Sequence, residues 1–358
     1  MARILIKNGR IFDGERFLLA DILTDGKTVA KIEPSISDPA DLICDATGKI
    51  VSAGLIDIHT HLRGISCDKY GMDAALATIP FGVTCAVDAE GSKGDAAMLD
   101  SLAPRSAVLV SVPIRNNIPD FSDVEARAAR YGKYTLGLKI FYDTTGTEVL
   151  DIHPLRKVCD YAAAHGWRVM VHCNHSPVPM AEILETLRAG DILTHAYHGG
   201  EYHAAEDGFM ALKEARARGV IIDAGMAGHV HTDFDVLAKA IAAGATPNTI
   251  SSDITCLSAY RRGGRYGLTQ CMSIFRHLGM AEEDVFRAVT SHAAQAIGYG
   301  DVCGRLLPGR EADLALLELD GSGASGFSLT DRTGHTVEST VGYRCTMTVT
   351  GGNILYKI

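Results

Sequence analysis

The stretch Gly54-Leu55-Ile56-Asp57-Ile58-His59-Thr60-His61 sets two histidines two apart at the end of an apolar run. In a β-strand, residues i and i+2 point to the same face, so both imidazoles converge where the strand stops. Imidazole is a common ligand of divalent transition metals, so the chemistry offered is metal binding. Alone, the pair is a weak signal, because two surface histidines give the same pattern. Further candidates end other apolar runs: Lys139 in Gly137-Leu138-Lys139-Ile140-Phe141, His172 in Val169-Met170-Val171-His172, His195 in Ile192-Leu193-Thr194-His195 and Asp253 in Ser251-Ser252-Asp253. Each alone reads as structural. Together they form a constellation that chance does not readily supply. A lysine inside an apolar strand is costly as a bare cation. It either snorkels or pairs with a carboxylate, or it reacts with CO₂ to become an anion whose two oxygens can bridge two metals.

These residues need strands to hold them. Short apolar runs fall at 55–59, 84–88, 108–112, 136–141, 168–172, 191–195, 220–223 and 249–253, with amphipathic segments at 124–130, 155–165, 180–189, 208–218 and 234–243 between them. Gly166, Gly190, Gly219 and Gly244 follow such segments, as helix C-caps do. The alternation predicts an α/β fold, a (β/α)₈ barrel over 53–304 whose chemistry sits at the C-terminal ends of its strands. A doubly wound open sheet is the rival. Residues 1–52 and 305–358 are short alternating runs that predict one small β-sandwich domain built from both termini. Within it, Asn8-Gly9 predicts a hairpin turn after a strand at 3–7. The 321–326 stretch reads as a flexible loop.

The chain has 358 residues, 47% hydrophobic and 22% charged, with a formal net charge of −9. That balance argues against a nucleic-acid or anionic-membrane surface while allowing a local pocket for an anionic small molecule. Nine cysteines without paired spacing predict reduced thiols and a cytoplasmic protein. Cys173 beside His172 is expected to be a buried structural thiol. No apolar run has the length of a membrane span or signal peptide.

At this point the chain resembles the amidohydrolase superfamily, in its binuclear-metal, carboxylated-lysine subtype. The His-x-His opening, the companions above and Pro308-Gly309-Arg310-Glu311-Ala312-Asp313-Leu314 carry the likeness. A closer resemblance, through the segments around His195 and Asp253, is to dihydroorotase-like amidohydrolase/deacetylase metallohydrolases, some of which remove acetyl groups from small carboxylates. The resemblance implies that His59, His61 and Asp253 hold one divalent metal, His172 and His195 a second, and carboxylated Lys139 bridges them, with zinc the expected ion. It implies hydrolysis by metal-activated hydroxide, with Asp253 accepting the proton and returning it to the leaving group. It also implies a homo-oligomer. The expected substrate is an N-acyl or O-acyl derivative of a small, anionic carboxylate. A cyclic amidohydrolase of the dihydroorotase or hydantoinase kind, a deaminase, and a scaffold without catalysis are the alternatives.

Substrate contacts are less marked. Arg63 continues the alternation as His-x-His-x-Arg and could clamp a carboxylate or sit on the surface. Arg115 and Asn116 follow the third strand, Tyr142 the fourth, and His198 lies three residues after His195. Each could face substrate or serve packing and solvent. His229 and His231 repeat the His-x-His spacing in a Gly-rich segment, where metal binding is the lesser reading. That segment departs from the glycine- and serine-rich stretch of the relatives. Arg261, Arg262 and Arg265 could attract an anion or remain solvated.

Overall fold

The structure is a computed structural model that describes residues 2–144, 149–228, 230–261, 266–320 and 327–358. His229, Arg262, Arg265, the side chain of Arg261 and the loop expected at 321–326 lie outside the described residues.

Seven parallel strands pair in chain order: β1 (Leu55–Thr60), β2 (Val83–Asp88), β3 (Arg105–Val112), β4 (Thr135–Phe141), β5 (Arg168–His172), β6 (Ile192–Thr194) and β7 (Ile221–Asp223). Every residue of β1 and β2 is buried, as parallel strands covered on both faces require. The eighth run is not a regular strand. It bridges β7 through Thr249 and Asp223, and β1 through Ile254 and Thr60. Asp253 N also donates to His59 O at 2.8 Å, and His61 N donates to Ile254 O at 3.1 Å. These bonds close the sheet into a ring. The backbone cannot stay extended there, because Asp253 takes a positive φ of 48°.

The predicted amphipathic segments become helices Val124–Tyr131, His153–Ala164, Met180–Thr186, Met210–Ala217 and Phe234–Ala242. Helices Cys256–Arg261, Leu268–His277, Glu282–Ala288 and Ser291–Ala296 follow the eighth run. Ala293, Ala294 and Ile297 pack with Ile56, Ile58, Cys85, Leu109 and Met170 in one buried cluster of the barrel. No helix of the described residues is long and apolar enough to cross a membrane, and all nine cysteines are free thiols. Cys173 is buried, and its Sγ donates to Thr194 O at 3.3 Å.

Strands from both termini share one eight-stranded sheet. Ile4–Phe12 pairs with Leu42–Asp45 through its first half and with Lys49–Ala53 through its second. Leu314–Asp320 then joins Lys49–Ala53 antiparallel. Ile4, Ile6, Ile22, Val51, Leu314, Met347 and Val349 bury one common core, which is why both ends of the chain are needed. Asn8-Gly9 is not the hairpin turn its type suggests. The strand runs through it with a register shift between Ile6 and Gly9. Asn8 adopts φ 62°, and its N–H is taken by Asp21 Oδ1 at 2.8 Å. A tertiary carboxylate thus turns a hairpin signal into a bulge. The turn lies further on, where Asp13 N donates to Arg16 O.

Candidate metal centre

The strand ends bring His59, His61, Lys139, His172, His195 and Asp253 into one buried cluster. Two sets of side chains have ligand atoms all within 4.8 Å of one another: His59, His61 and Asp253, and His172, His195 and His231. Asp253 links them. Its Oδ1 lies 3.4 Å from His59 Nε2 and 3.1 Å from His61 Nε2, while its Oδ2 lies 3.9 Å from His195 Nε2 and 3.5 Å from His231 Nε2.

The surroundings of each ring fix which nitrogen faces the centre. Thr194 Oγ1 donates to Asp223 Oδ2 at 2.7 Å, so it can only accept from His59 Nδ1, 3.1 Å away. Ser66 Oγ likewise donates to Asp88 Oδ2 and accepts from His61 Nδ1. His195 Nδ1 donates to Gly225 O at 2.6 Å. In each ring Nδ1 carries a proton and Nε2 points inward. His195 Nε2 is buried with no hydrogen-bond partner among the described residues. An orphaned acceptor of this kind is costly unless a cation fills the space. His172 spends Nε2 on Asp143 Oδ2 at 3.2 Å, which leaves its other nitrogen. The donor set therefore fits two divalent cations bound by nitrogen and carboxylate oxygen.

Local backbone geometry holds this arrangement. His195 leaves β6 with φ 65° and Asp253 has φ 48°, both unusual for residues with a Cβ and both at the centre. Gly225 has φ 51°, and a Cβ there would lie 2.1 Å from Thr194 Oγ1 and 2.5 Å from His195 Nδ1. Only glycine lets that backbone carbonyl orient His195. Asp223 accepts hydroxyl bonds from Thr194, Thr249 and Ser251, each 2.7 Å. It ties β6, β7 and the eighth run beneath the cluster.

The electrostatics separate the members. Burial lowers His59 well below the usual histidine range, helped by the Lys139 charge. Burial also lowers His172 and His195. Burial pulls His61 down too, but its contacts to Asp253 and Glu90 outweigh that and push it up to about 9. Burial would raise Asp253, yet the His61 bond and charge hold it low. Without a metal, His61 and Asp253 form an ion pair, with a proton where a cation would sit. Lys139 is fully buried, with Nζ 3.0 Å from His59 Nε2 and 3.4 Å from Met170 Sδ. Burial pushes it down to about 8 in spite of Asp253 and Asp223, so part of it is the uncharged amine that can attack CO₂.

The expected substrate residues fare differently. Arg63 and Arg115 are exposed. Asn116 is exposed beside Arg115, in the turn between Ile114–Arg115 and Ile118–Pro119. Tyr142 is fully buried and its hydroxyl donates to Asp151 O at 2.6 Å, so it serves packing and not the substrate contact considered for it. His198 is fully buried; burial, then the Arg332 charge, push it down to about 3. Its Nδ1 accepts from Gly200 N at 3.3 Å. His231, the lesser reading at the sequence level, joins the cluster with its ring centroid 4.1 Å from that of His195. Sequence reasoning missed Ser66, Asp88, Glu90, Asn174, Asp223 and Arg332. Asp88 and Asp223 end β2 and β7 as the recognised residues end theirs, so the same strand-end signal could have found them.

Comparison with known proteins places this geometry. A family model described as Amidohydrolase family matches residues 50–355. Deacetylase Atu3266 of Agrobacterium fabrum is 27% identical over 82% of this chain and 77% of its own length. A deacetylase of Enterococcus faecalis is 26% identical over 98% of each chain. A dihydroorotase of Streptococcus pyogenes is 43% identical over 88 residues, 24% of this chain and 21% of its own length. Among solved structures, a dihydroorotase superposes with a TM-score of 0.86 at 24% identity, covering 100% of this chain and 99% of that one. An adenine deaminase does so with 0.84 at 24% identity over 99% of each. At that identity the structural likeness speaks to the fold.

Proposed function

This chain belongs to the amidohydrolase family, and on that premise we propose that it is a metal-dependent hydrolase that removes an acyl group, acetyl in the first instance, from a small carboxylate-bearing molecule. The reading assigns the catalytic barrel to 53–304 and the terminal module to 1–52 and 305–358. His59, His61 and Asp253 would hold one cation, His172 and His195 the other, and a carbamate on Lys139 would bridge them. Zinc suits a site of imidazole and carboxylate. Such cations, when bound, polarise a carbonyl and supply hydroxide near neutral pH.

The chain's own groups do the rest. Thr194, Ser66 and Gly225 keep three imidazole Nε2 atoms turned inward. Asp253 turns Oδ1 to the first histidine pair and Oδ2 to His195 and His231. It can therefore bind through one oxygen while the other takes a proton from the attacking water and returns it to the leaving amine or alcohol. Burial of the cluster excludes bulk water from that transfer. Arg63 is the handle assigned to the substrate carboxylate. Nine free thiols support a cytoplasmic setting, and homo-oligomeric assembly belongs to the same reading.

The observation that carries the proposal is the orphaned, buried Nε2 of His195 beside two further imidazoles with Nε2 turned inward. The test is a screen of N-acetyl and O-acetyl derivatives of α-amino and α-hydroxy acids with metal-loaded protein. Release of acetate that a chelator abolishes supports it. No hydrolysis of any member by a fully loaded protein counts against it. The segment shared with dihydroorotases favours a second reading, hydrolysis of a cyclic amide. Turnover of dihydroorotate or hydantoins, with none of linear acyl substrates, would select that reading.

A further inference from the structure

His231 stands among the candidate ligands, but its hydrogen bonds differ from theirs. It lies in the segment after β7, with Nε2 turned to the centre 3.5 Å from Asp253 Oδ2. Its Nδ1 faces Asn174 Nδ2 at 3.0 Å. The other end of that amide, Oδ1, accepts from Arg332 Nη1 at 2.8 Å. A guanidinium can only donate, so the amide oxygen must face Arg332 and the amide nitrogen must face His231. An amide nitrogen also only donates, so His231 Nδ1 is an acceptor and carries no proton. The proton of the neutral ring is on Nε2. This is the opposite tautomer from His59 and His195, whose Nδ1 atoms donate and whose Nε2 atoms are bare.

We infer that His231 is a tautomer-locked N–H donor standing 3.5 Å from Asp253 Oδ2, and not a third imidazole ligand of the second metal position. Nitrogen that carries a proton has no lone pair to give a cation. The donor instead faces the carboxylate oxygen turned away from His59 and His61. It orients Asp253 for proton transfer without binding the metal, which makes it a positioning residue. The lock comes from far along the chain. Arg332 lies between strands Phe327–Thr330 and Thr336–Ser339. Its N–H donates to Thr232 O at 3.1 Å, while Asp331 Oδ2 accepts from Phe234 N at 2.9 Å. The turn of a separate two-stranded sheet therefore sets the tautomer of a group in the barrel mouth.

The role at Asp253 rests on the proton-carrier reading above; the tautomer does not. Two measurements on the full chain decide the inference. The first is ¹⁵N NMR of histidine-labelled, zinc-loaded protein, with the His231 signals identified by their loss in His231→Gln. A protonated Nε2 and a bare Nδ1 are expected. A protonated Nδ1, or an Nε2 shifted by zinc, overturns the inference even where hydrolysis is confirmed. The second is metal content and kinetics of His231→Gln. Metal content equal to wild type is expected, with kcat lowered about 10- to 100-fold and KM little changed. Loss of one metal, or unchanged kcat, overturns it. Should that variant fail to fold, the spectrum of labelled wild type with signals identified through Asn174→Leu decides alone.

Discussion

The two ligand clusters at the barrel mouth are built differently. His59, His61 and Asp253 come from β1 and the run that closes the barrel onto it. They include a carboxylate, and a buried ion pair already stands where a cation would. His172 and His195 come from β5 and the end of β6, and among the described residues they group with the neutral His231. Among the described residues that set holds no carboxylate of its own, since Asp143 engages the far nitrogen of His172. Charge decides affinity for a divalent ion. The first position should load tightly on its own, and the second should depend on an added negative charge. Lys139, buried beside both, is the group that can supply it.

The comparison is broken most severely at the shared residues. Asp253→Asn should lower kcat about 10²- to 10⁴-fold and leave the melting temperature within a few degrees; steady-state assays beside thermal denaturation check it. Lys139→Ala should abolish activity, empty the second position first and respond to added short carboxylic acids. Full metal content and activity without them would remove the bridging role. His172→Asn should cost at least one metal per chain while the first position stays filled; two tight metals in that variant would refute the second site. Thr194→Val removes the acceptor of His59 Nδ1 and should weaken binding at the first position about 10- to 100-fold, read by competition with a chelating dye. At the small end, Tyr142→Phe removes a hydroxyl bound to a backbone carbonyl and should cost about 1 kcal/mol of stability with no change in metal content.

The same comparison shows what could be seen in the sequence. β-Strands impose a period of two and stop at defined points, so His59 and His61 stood out as a pair and Lys139, His172 and His195 as strand ends. The first seven strands fell within a few residues of their expected bounds, because apolar runs bounded by Gly and polar residues mark buried parallel strands. His231 was only the lesser reading for the opposite reason. It sits in a segment with no period, and it reaches the centre through Asn174 and Arg332, 57 and 158 residues of separation that no local pattern encodes. Asn8-Gly9 failed in the same way, when Asp21, 13 residues along the chain, took the Asn8 N–H and held the strand in a bulge. Tyr142 stayed open between substrate and packing, because the direction of a side chain after a strand end depends on its neighbours, here the Asp151 carbonyl.

The most direct test of two oriented metal positions is the metal content per chain by elemental analysis, on protein prepared without chelators. About two divalent metals per chain are predicted. Near zero, persisting after incubation with zinc or manganese and bicarbonate, would contradict the account and make the strand-end histidines structural residues.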